Sequence, residues 1–187
     1  MESQNFKIPV SDWTEVGIEN AKFVLSEAQS YLRYLSDVSG RITARAFSIL
    51  TVLATITSAL IAFVVKQALD SPSTSNFITY YTVAIVIALI MIMFALGKVV
   101  MPRLYMPVGR SPVELCNDEM LGVTLEKNLS LVALIMNEIE NNQNKIAFNE
   151  RQNAERQTLL NYCLKVVGVL FALSTVTITI YLCVILS

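Results

Sequence analysis

The chain has 187 residues, of which 54% are hydrophobic and only 16% are charged. An ordinary soluble domain carries about 25% charged residues, and the mean hydropathy of this chain is +0.55. The composition excludes a disordered protein, a basic nucleic-acid-binding domain and a disulfide-stapled secreted fold. The sequence has no histidine, so it lacks the commonest metal ligand and the commonest general base.

The first predicted element is a helix over residues 10–45. Charges of both signs lie along it, whereas a helix resting on lipid would carry more lysine and arginine on its polar face. No proline separates it from the apolar segment that follows, so we expect one rod from about Trp13 to Leu69. Small or apolar residues recur at alternating spacings of three and four, the heptad pattern of helices that pack on other helices, at Ala21, Val24, Ala28, Tyr31, Leu35, Val38 and Ile42.

Three long uncharged runs are each long enough to cross a membrane. A helix rises about 1.5 Å per residue, so roughly 20 apolar residues span the hydrocarbon core. A buried helix of a soluble protein would need one polar face at this length, and the second run has none. The predicted spans are residues 46–65, 77–97 and 166–186, with residues 66–76 as the loop between the first two.

The segment 98–165 is predicted to form a linker followed by a helical hairpin. Pro102, Pro107 and Pro112 interrupt any regular helix after the second span. We expect one helix from about Ser111 to Glu140, with a heptad seam at Leu125, Leu129, Val132, Met136 and Ile139. The residues NNQN at 141–144 are the predicted turn, and a last helix runs from about Lys145 into the third span. The predicted fold class is therefore an all-α membrane protein with three transmembrane helices and a cytoplasmic helical bundle.

The distribution of lysine and arginine predicts the orientation in the membrane. Three spans separate the chain into two compartments, and the loop at 66–76 lies in one of them with Lys66 as its single basic residue. The other thirteen of the 14 basic residues lie in the opposite compartment. Because positive charge is retained on the cytoplasmic side, we expect a cytoplasmic N-terminus and an external C-terminus.

Motifs that would indicate catalysis or a bound cofactor are not found. The sequence contains no nucleophile elbow, phosphate loop, paired zinc cysteines or dinucleotide fingerprint. The predicted spans hold no ionisable group of the kind that ion-coupled transporters and proton relays use at membrane depth. We therefore expect no enzyme activity, no catalytic residue, no metal site and no cofactor.

A stripe of hydroxyl side chains runs along the first span, at spacings of three, four and three. One interpretation is close packing between helices with modest hydrogen bonds, each of about 0.6 kcal/mol. The other is the mildly polar wall of a water-filled path. The candidate pore-lining residues are Ser48, Thr51, Thr55 and Ser58.

Two basic clusters flank the inner ends of the first two spans. They fit the positive-inside rule together with contact to lipid head groups. The alternative is a site for an anionic ligand, such as a nucleotide or an oligonucleotide. The candidate residues are Arg41, Arg45, Lys98, Arg103 and Arg110.

The stretch ENAKFVLSEAQSYLRYLSDVSGRITARAFSILTVLATITSALIAFV resembles the first half of small bacterial defence effectors, in which a mixed-charge helix continues into a hydrophobic hairpin. The layout is similar to the channel-like membrane partner of nucleotidyltransferase-linked antiphage systems such as Hailong. It is also similar to two-span effectors found beside nucleotide second-messenger enzymes, although this chain has a third span. The resemblance covers most of the chain and lies in its layout, so no family site residue is carried over.

The resemblance implies an oligomeric assembly in the bacterial inner membrane, controlled by a cytoplasmic signal, that disrupts the membrane during infection. The expected partners are further copies of the chain, membrane lipids and a cytoplasmic regulator or nucleotide signal. Two other functions stay open: a membrane anchor or scaffold that recruits a soluble partner, and an accessory subunit of a transporter.

Overall fold

Three long α-helices make up most of the chain that the structure describes. The computed structural model describes residues 16–70, 77–101, 105–109 and 127–186. The helices are α1 (Ile18–Asp70), α2 (Phe77–Val100) and α3 (Lys127–Leu186). Each contains a segment long and apolar enough to cross a membrane. The fold class predicted from the sequence is confirmed to this extent: the described chain is all-helical, with three helices able to span.

The chain divides into two compact units. Unit 1 comprises Met1–Gly40 and Arg103–Ala154, and unit 2 comprises Arg41–Pro102 and Glu155–Ser187. Both α1 and α3 contribute to each unit and are unbroken at the division. The single rod predicted from about Trp13 to Leu69 is thus present over the described residues, from Ile18 to Asp70.

In unit 1, α1 and α3 run in the same direction. Ala21 packs into a cluster of α3 side chains that lie between Val132 and Ile139. Further along both helices, Leu32 and Leu35 pack on Ile146. Residue numbers rise together on the two helices, so the pair is parallel. Parallel helices with apolar residues at alternating spacings of three and four pack in the manner of a coiled coil.

The buried stripe of α1 differs from the predicted seam at two positions, where the buried residue is the next one along the chain. The structure buries Leu32 and half-buries Leu25, whereas Val24 is 47% exposed and Tyr31 is 41% exposed. Both stripes have heptad spacing and share Ala21 and Leu35, so the spacing alone does not distinguish them. The position of α3 distinguishes the two stripes, because the branched Leu32 side chain packs against Ile146.

The predicted helical hairpin is wrong at its turn, because α3 continues through residues 141–144 without interruption. Asparagine is a poor helix former, but propensity is a weak prior that tertiary packing overrides. Here the heptad spacing simply continues past Ile139, with a fully buried asparagine at Asn142. The predicted helix start at Ser111 and the side chains of Leu125 and Leu129 lie outside the described residues.

In unit 2, α2 runs antiparallel to α3. Near the start of α2, Phe77 stacks on Tyr181 with ring centroids 5.9 Å apart. Near its end, the Val99 carbonyl accepts hydrogen bonds from Arg156. Between α1 and α2, Thr57 Oγ1 lies 3.8 Å from Met93 Sδ. The inward face of α2 consists of Thr82, Val86, Leu89, Ile92, Leu96 and Val99.

Much of the apolar surface of these helices is not covered by the chain itself. Between 6% and 22% of the three apolar windows is buried. Large side chains such as Phe94 and Leu173 are 75% and 61% exposed. A monomer in water rarely leaves apolar patches of that extent uncovered, so this surface requires a cover of lipid, of other protein or of both.

Candidate functional site

The four hydroxyl residues of the predicted stripe all lie on the exposed surface of α1. Each hydroxyl donates a hydrogen bond to the backbone carbonyl four residues earlier. The donor–acceptor distance is 3.0 Å from Ser48 and from Thr51, 3.1 Å from Thr55 and 2.8 Å from Ser58. The stripe therefore does not pack α1 against α2 or α3 within one chain.

These bonds also determine what environment the stripe tolerates. A hydroxyl that bonds back to its own helix needs no partner on another helix and no water. Its oxygen can still accept a further hydrogen bond from water or from a neighbouring protein. The face is consequently compatible with an aqueous path and with close contact to another copy of the chain.

The hydroxyls of α3 behave in the same way. Thr175 and Thr179 are exposed, and each donates to the carbonyl four residues earlier at 2.9 Å. Thr57, in contrast, is a buried threonine of α1 that lies outside the predicted stripe. Its contact with Met93 shows that the opposite side of α1 is the one that packs against α2.

Three of the five basic candidates lie in the described residues. Arg41, Arg45 and Lys98 are all exposed. No ion pair or hydrogen bond joins these three side chains to one another in the part of the chain that the structure describes. The other two candidates, Arg103 and Arg110, lie outside the described residues.

Arg156 is a functional candidate that the sequence analysis missed. Its side chain is only 6% exposed. Nε and Nη2 donate to the Val99 carbonyl at 3.1 and 2.7 Å, and Nη2 also donates to Thr43 Oγ1. Val99 is in the last turn of α2, where carbonyls lack intrahelical partners and a cation is favoured by the helix dipole. One guanidinium thus joins α1, α2 and α3 within unit 2.

A second feature that the sequence analysis missed is a run of asparagines on the buried face of α3 in unit 1. The Asn149 amide pairs with the backbone of Met106: Met106 N donates to Oδ1 at 3.1 Å, and Nδ2 donates to Met106 O at 3.0 Å. Lys145 Nζ donates to the Gly109 carbonyl, where the backbone turns with a positive φ of 84°. Tyr105 completes the contact by packing on the Leu32, Leu35 and Ile146 cluster. Residues 105–109 are therefore held against α3.

The other two asparagines of this run differ in their bonding. Asn153 Nδ2 donates to the Leu35 carbonyl of α1 at 2.9 Å. Asn142 is 0% exposed, and within the described residues neither its Nδ2 nor its Oδ1 has a hydrogen-bond partner. An unpaired buried amide costs free energy because it has lost its water without replacement. Asn142 is thus a weak point in the packing of unit 1.

Two tyrosines of unit 1 have raised pKa values. Tyr31 donates a hydrogen bond to Glu150 Oε1 at 2.7 Å, and this bond, together with the negative charge of Glu150, raises the pKa of Tyr31. Burial raises the pKa of Tyr105, and the charge of Asp37 adds to the effect. Both hydroxyls are therefore protonated at neutral pH.

The asparagines allow one matched test of this polar face. Asn142→Leu should raise the free energy of unfolding by on the order of 1 kcal/mol, because it removes an unpaired amide and nearly conserves volume. Asn149→Leu should lower it by about 1–3 kcal/mol, because both polar groups of Met106 lose their partner. Thermal unfolding of the full chain in detergent measures the two shifts. Shifts of the same sign would contradict this account of the seam.

Arg156 allows a second test. Arg156→Met leaves the Val99 carbonyl buried without its donors, so we expect a loss of about 1.5–3 kcal/mol and a lower midpoint of thermal unfolding. Arg151→Met is the matched control, because Arg151 is exposed on the same helix and exposed substitutions usually stay within about 0.5 kcal/mol. Equal shifts in the two variants would show that Arg156 does not join the helices of unit 2.

No group of three or more His, Cys, Asp or Glu side chains within the described ranges is placed to hold a metal ion. The functional argument therefore rests on the hydroxyl stripe, the exposed basic residues and the buried polar groups of α3. Comparison with protein families, with curated proteins and with solved structures gives no match to this chain.

Proposed function

We propose that the chain is a channel-like membrane effector that works as a homo-oligomer and is gated through unit 1. The observation that carries this proposal is the exposed hydroxyl stripe on the first span. We further infer, from the layout of the sequence, that the assembly lies in the bacterial inner membrane and disrupts this membrane during antiphage defence.

The stripe supports the proposal because it interrupts an otherwise apolar surface. A span that faces only lipid gains nothing from a row of hydroxyls, whereas the wall of an aqueous path requires groups that bind water. Three helices enclose too little space for such a path. Several copies, each contributing α1, supply the missing walls.

A second line of support for an oligomer comes from unit 1. Its α1 segment leaves four large apolar or aromatic side chains exposed outside the predicted spans. Exposed apolar surface of this kind is typical of protein–protein contact sites. The residues are Phe23 at 65%, Val24 at 47%, Tyr31 at 41% and Tyr34 at 54% exposed.

Gating is supported by the continuity of two helices. Both α1 and α3 pass from unit 1 into unit 2 without a break, so a change in unit 1 has a direct covalent route to the spans. The trigger that we propose is a regulator or an anionic signal such as a nucleotide. Arg41, Arg45 and Lys98 are exposed and suit such a signal, and they equally suit lipid head groups.

The exposed face of unit 1 also favours a second candidate, a membrane anchor or scaffold that recruits a soluble partner. An accessory subunit of a transporter is a third possibility. An anchor needs only one span, so three spans favour the channel. A nucleotidyltransferase or nuclease gene beside this one would support the effector, and a transport operon would support the accessory subunit.

The proposed topology predicts the outcome of reporter fusions. With the N-terminus in the cytoplasm and the C-terminus outside, a reporter fused after Ser187 should be active only if it is of the type that works outside the cytoplasm. A fusion at Met1 is the control and should show the opposite preference. Cytoplasmic activity of the C-terminal fusion would overturn the topology and the placement of unit 1 with it.

The pore proposal predicts the effect of removing two hydroxyls from span one. Thr51→Val with Thr55→Val makes that wall apolar and favours dewetting, so ion flux should fall several-fold. Assembly should persist, because an interhelical hydrogen bond is worth only about 0.6 kcal/mol. Flux is measured by a membrane-potential dye during inducible expression, beside protein level and oligomer size in detergent.

The matched comparison is Thr175→Val with Thr179→Val on α3. These threonines are also four residues apart, exposed and bonded to their own helix, and the variant should leave flux unchanged. Normal flux in a well-assembled α1 variant would remove span one as the pore wall. A loss confined to the α3 variant would instead assign the wall to span three.

A further inference from the structure

Unit 2 contains a cavity of about 250 Å³ between its three helices. Leu60 of α1, Ile78 and Ile85 of α2 and Ile178 of α3 contribute apolar walls, and Tyr81 and Tyr181 contribute aromatic ones. The cavity is partly open to the surroundings. For comparison, a dry apolar cavity of about 150 Å³ holds a benzene molecule, so this one has room for a larger apolar group.

The cavity has few polar atoms, and two of them are threonine hydroxyls that bond to their own helices. Thr82 Oγ1 donates to the Ile78 carbonyl at 2.8 Å, and Thr177 Oγ1 donates to the Leu173 carbonyl at 2.9 Å. A buried water needs two to four polar partners. Because its lining offers few polar atoms, the cavity suits an apolar ligand better than an ordered water cluster.

The depth of the cavity indicates what can fill it. Phe77 begins α2 and stacks on Tyr81 at 6.0 Å and on Tyr181 at 5.9 Å. Aromatic side chains of this kind collect at the boundary between lipid and water. Ile85 follows Phe77 by eight residues, which is about 12 Å along the helix axis. The cavity thus extends from an aromatic cluster into the hydrocarbon layer, where acyl chains are the surrounding solvent.

We propose that this cavity binds one acyl chain of a membrane phospholipid. The chain enters beside the aromatic stack and contacts all three spans, and it replaces the dispersion contacts that an empty cavity loses. The site is independent of the proposed channel function, because it requires only that the three helices lie in a membrane. A lipid chain then becomes part of the packing of unit 2.

Photolabelling of the full chain in vesicles tests this site. The vesicles contain phosphatidylethanolamine, phosphatidylglycerol and a phospholipid with a diazirine on one acyl chain, and mass spectrometry locates the adducts. Tyr80 is 67% exposed, whereas its neighbour Tyr81 is half-buried and lines the cavity. We expect more label on Tyr81 than on Tyr80. Label that simply follows exposure, with Tyr80 above Tyr81, would overturn the proposal.

The second measurement uses variants in which a larger side chain fills the cavity. Ile85→Trp and, from another helix, Leu60→Trp should each lower the Tyr81 label several-fold. Ile87→Trp is the matched control, because Ile87 is 55% exposed on the same helix, and it should leave the label unchanged. Unaltered labelling in both cavity variants, checked for native size and unfolding midpoint, would overturn the site.

Discussion

Buried polar groups along one face of α3 have to find hydrogen-bond partners, and that requirement determines what packs against the helix. Asn149 holds the backbone of Met106, Asn153 holds the Leu35 carbonyl and Arg156 holds the Val99 carbonyl. Each bond joins α3 to a different segment at a defined position. Apolar side chains at the same heptad positions would allow sliding, whereas these bonds are made in one register only.

The same face carries an amide with neither of its polar atoms hydrogen-bonded among the described residues. Asn142 is as deeply buried as Asn149, yet its amide has no partner in the part of the chain that the structure describes. Buried polar groups without partners are rare in native structures, and they accompany strain or function. The unpaired amide lowers the stability of unit 1 where α1 and α3 pack in parallel. Under the proposed function, a gating signal has to alter this same packing.

Unit 2 is governed by the opposite condition, because most of the surface of its apolar helix segments is exposed. The hydroxyls of Ser48, Thr51 and Thr55 donate to carbonyls of their own helix, so they need no partner on another helix, and their oxygens can still accept hydrogen bonds from water in the proposed path. Exposed Phe94 and Leu173 need no such partner. The acyl-chain cavity follows from the same condition: where three helices leave a gap in lipid, a lipid chain is the available filler.

The sequence by itself determined the helical class, the three apolar spans and the continuity of α1, because uncharged runs of this length and a proline-free junction have few alternatives. It also predicted the hydroxyl stripe as a single face. It did not determine which of two heptad stripes of α1 is buried, since Val24 and Leu25 differ by one position and either stripe has the required spacing. Nor did it predict that α3 passes through residues 141–144. Asparagine is a poor helix former and favours turns, and here packing against another helix overrides that preference. Only tertiary structure brings Arg156 to Val99 and Asn149 to Met106, since those pairs are 57 and 43 residues apart and no local pattern links them.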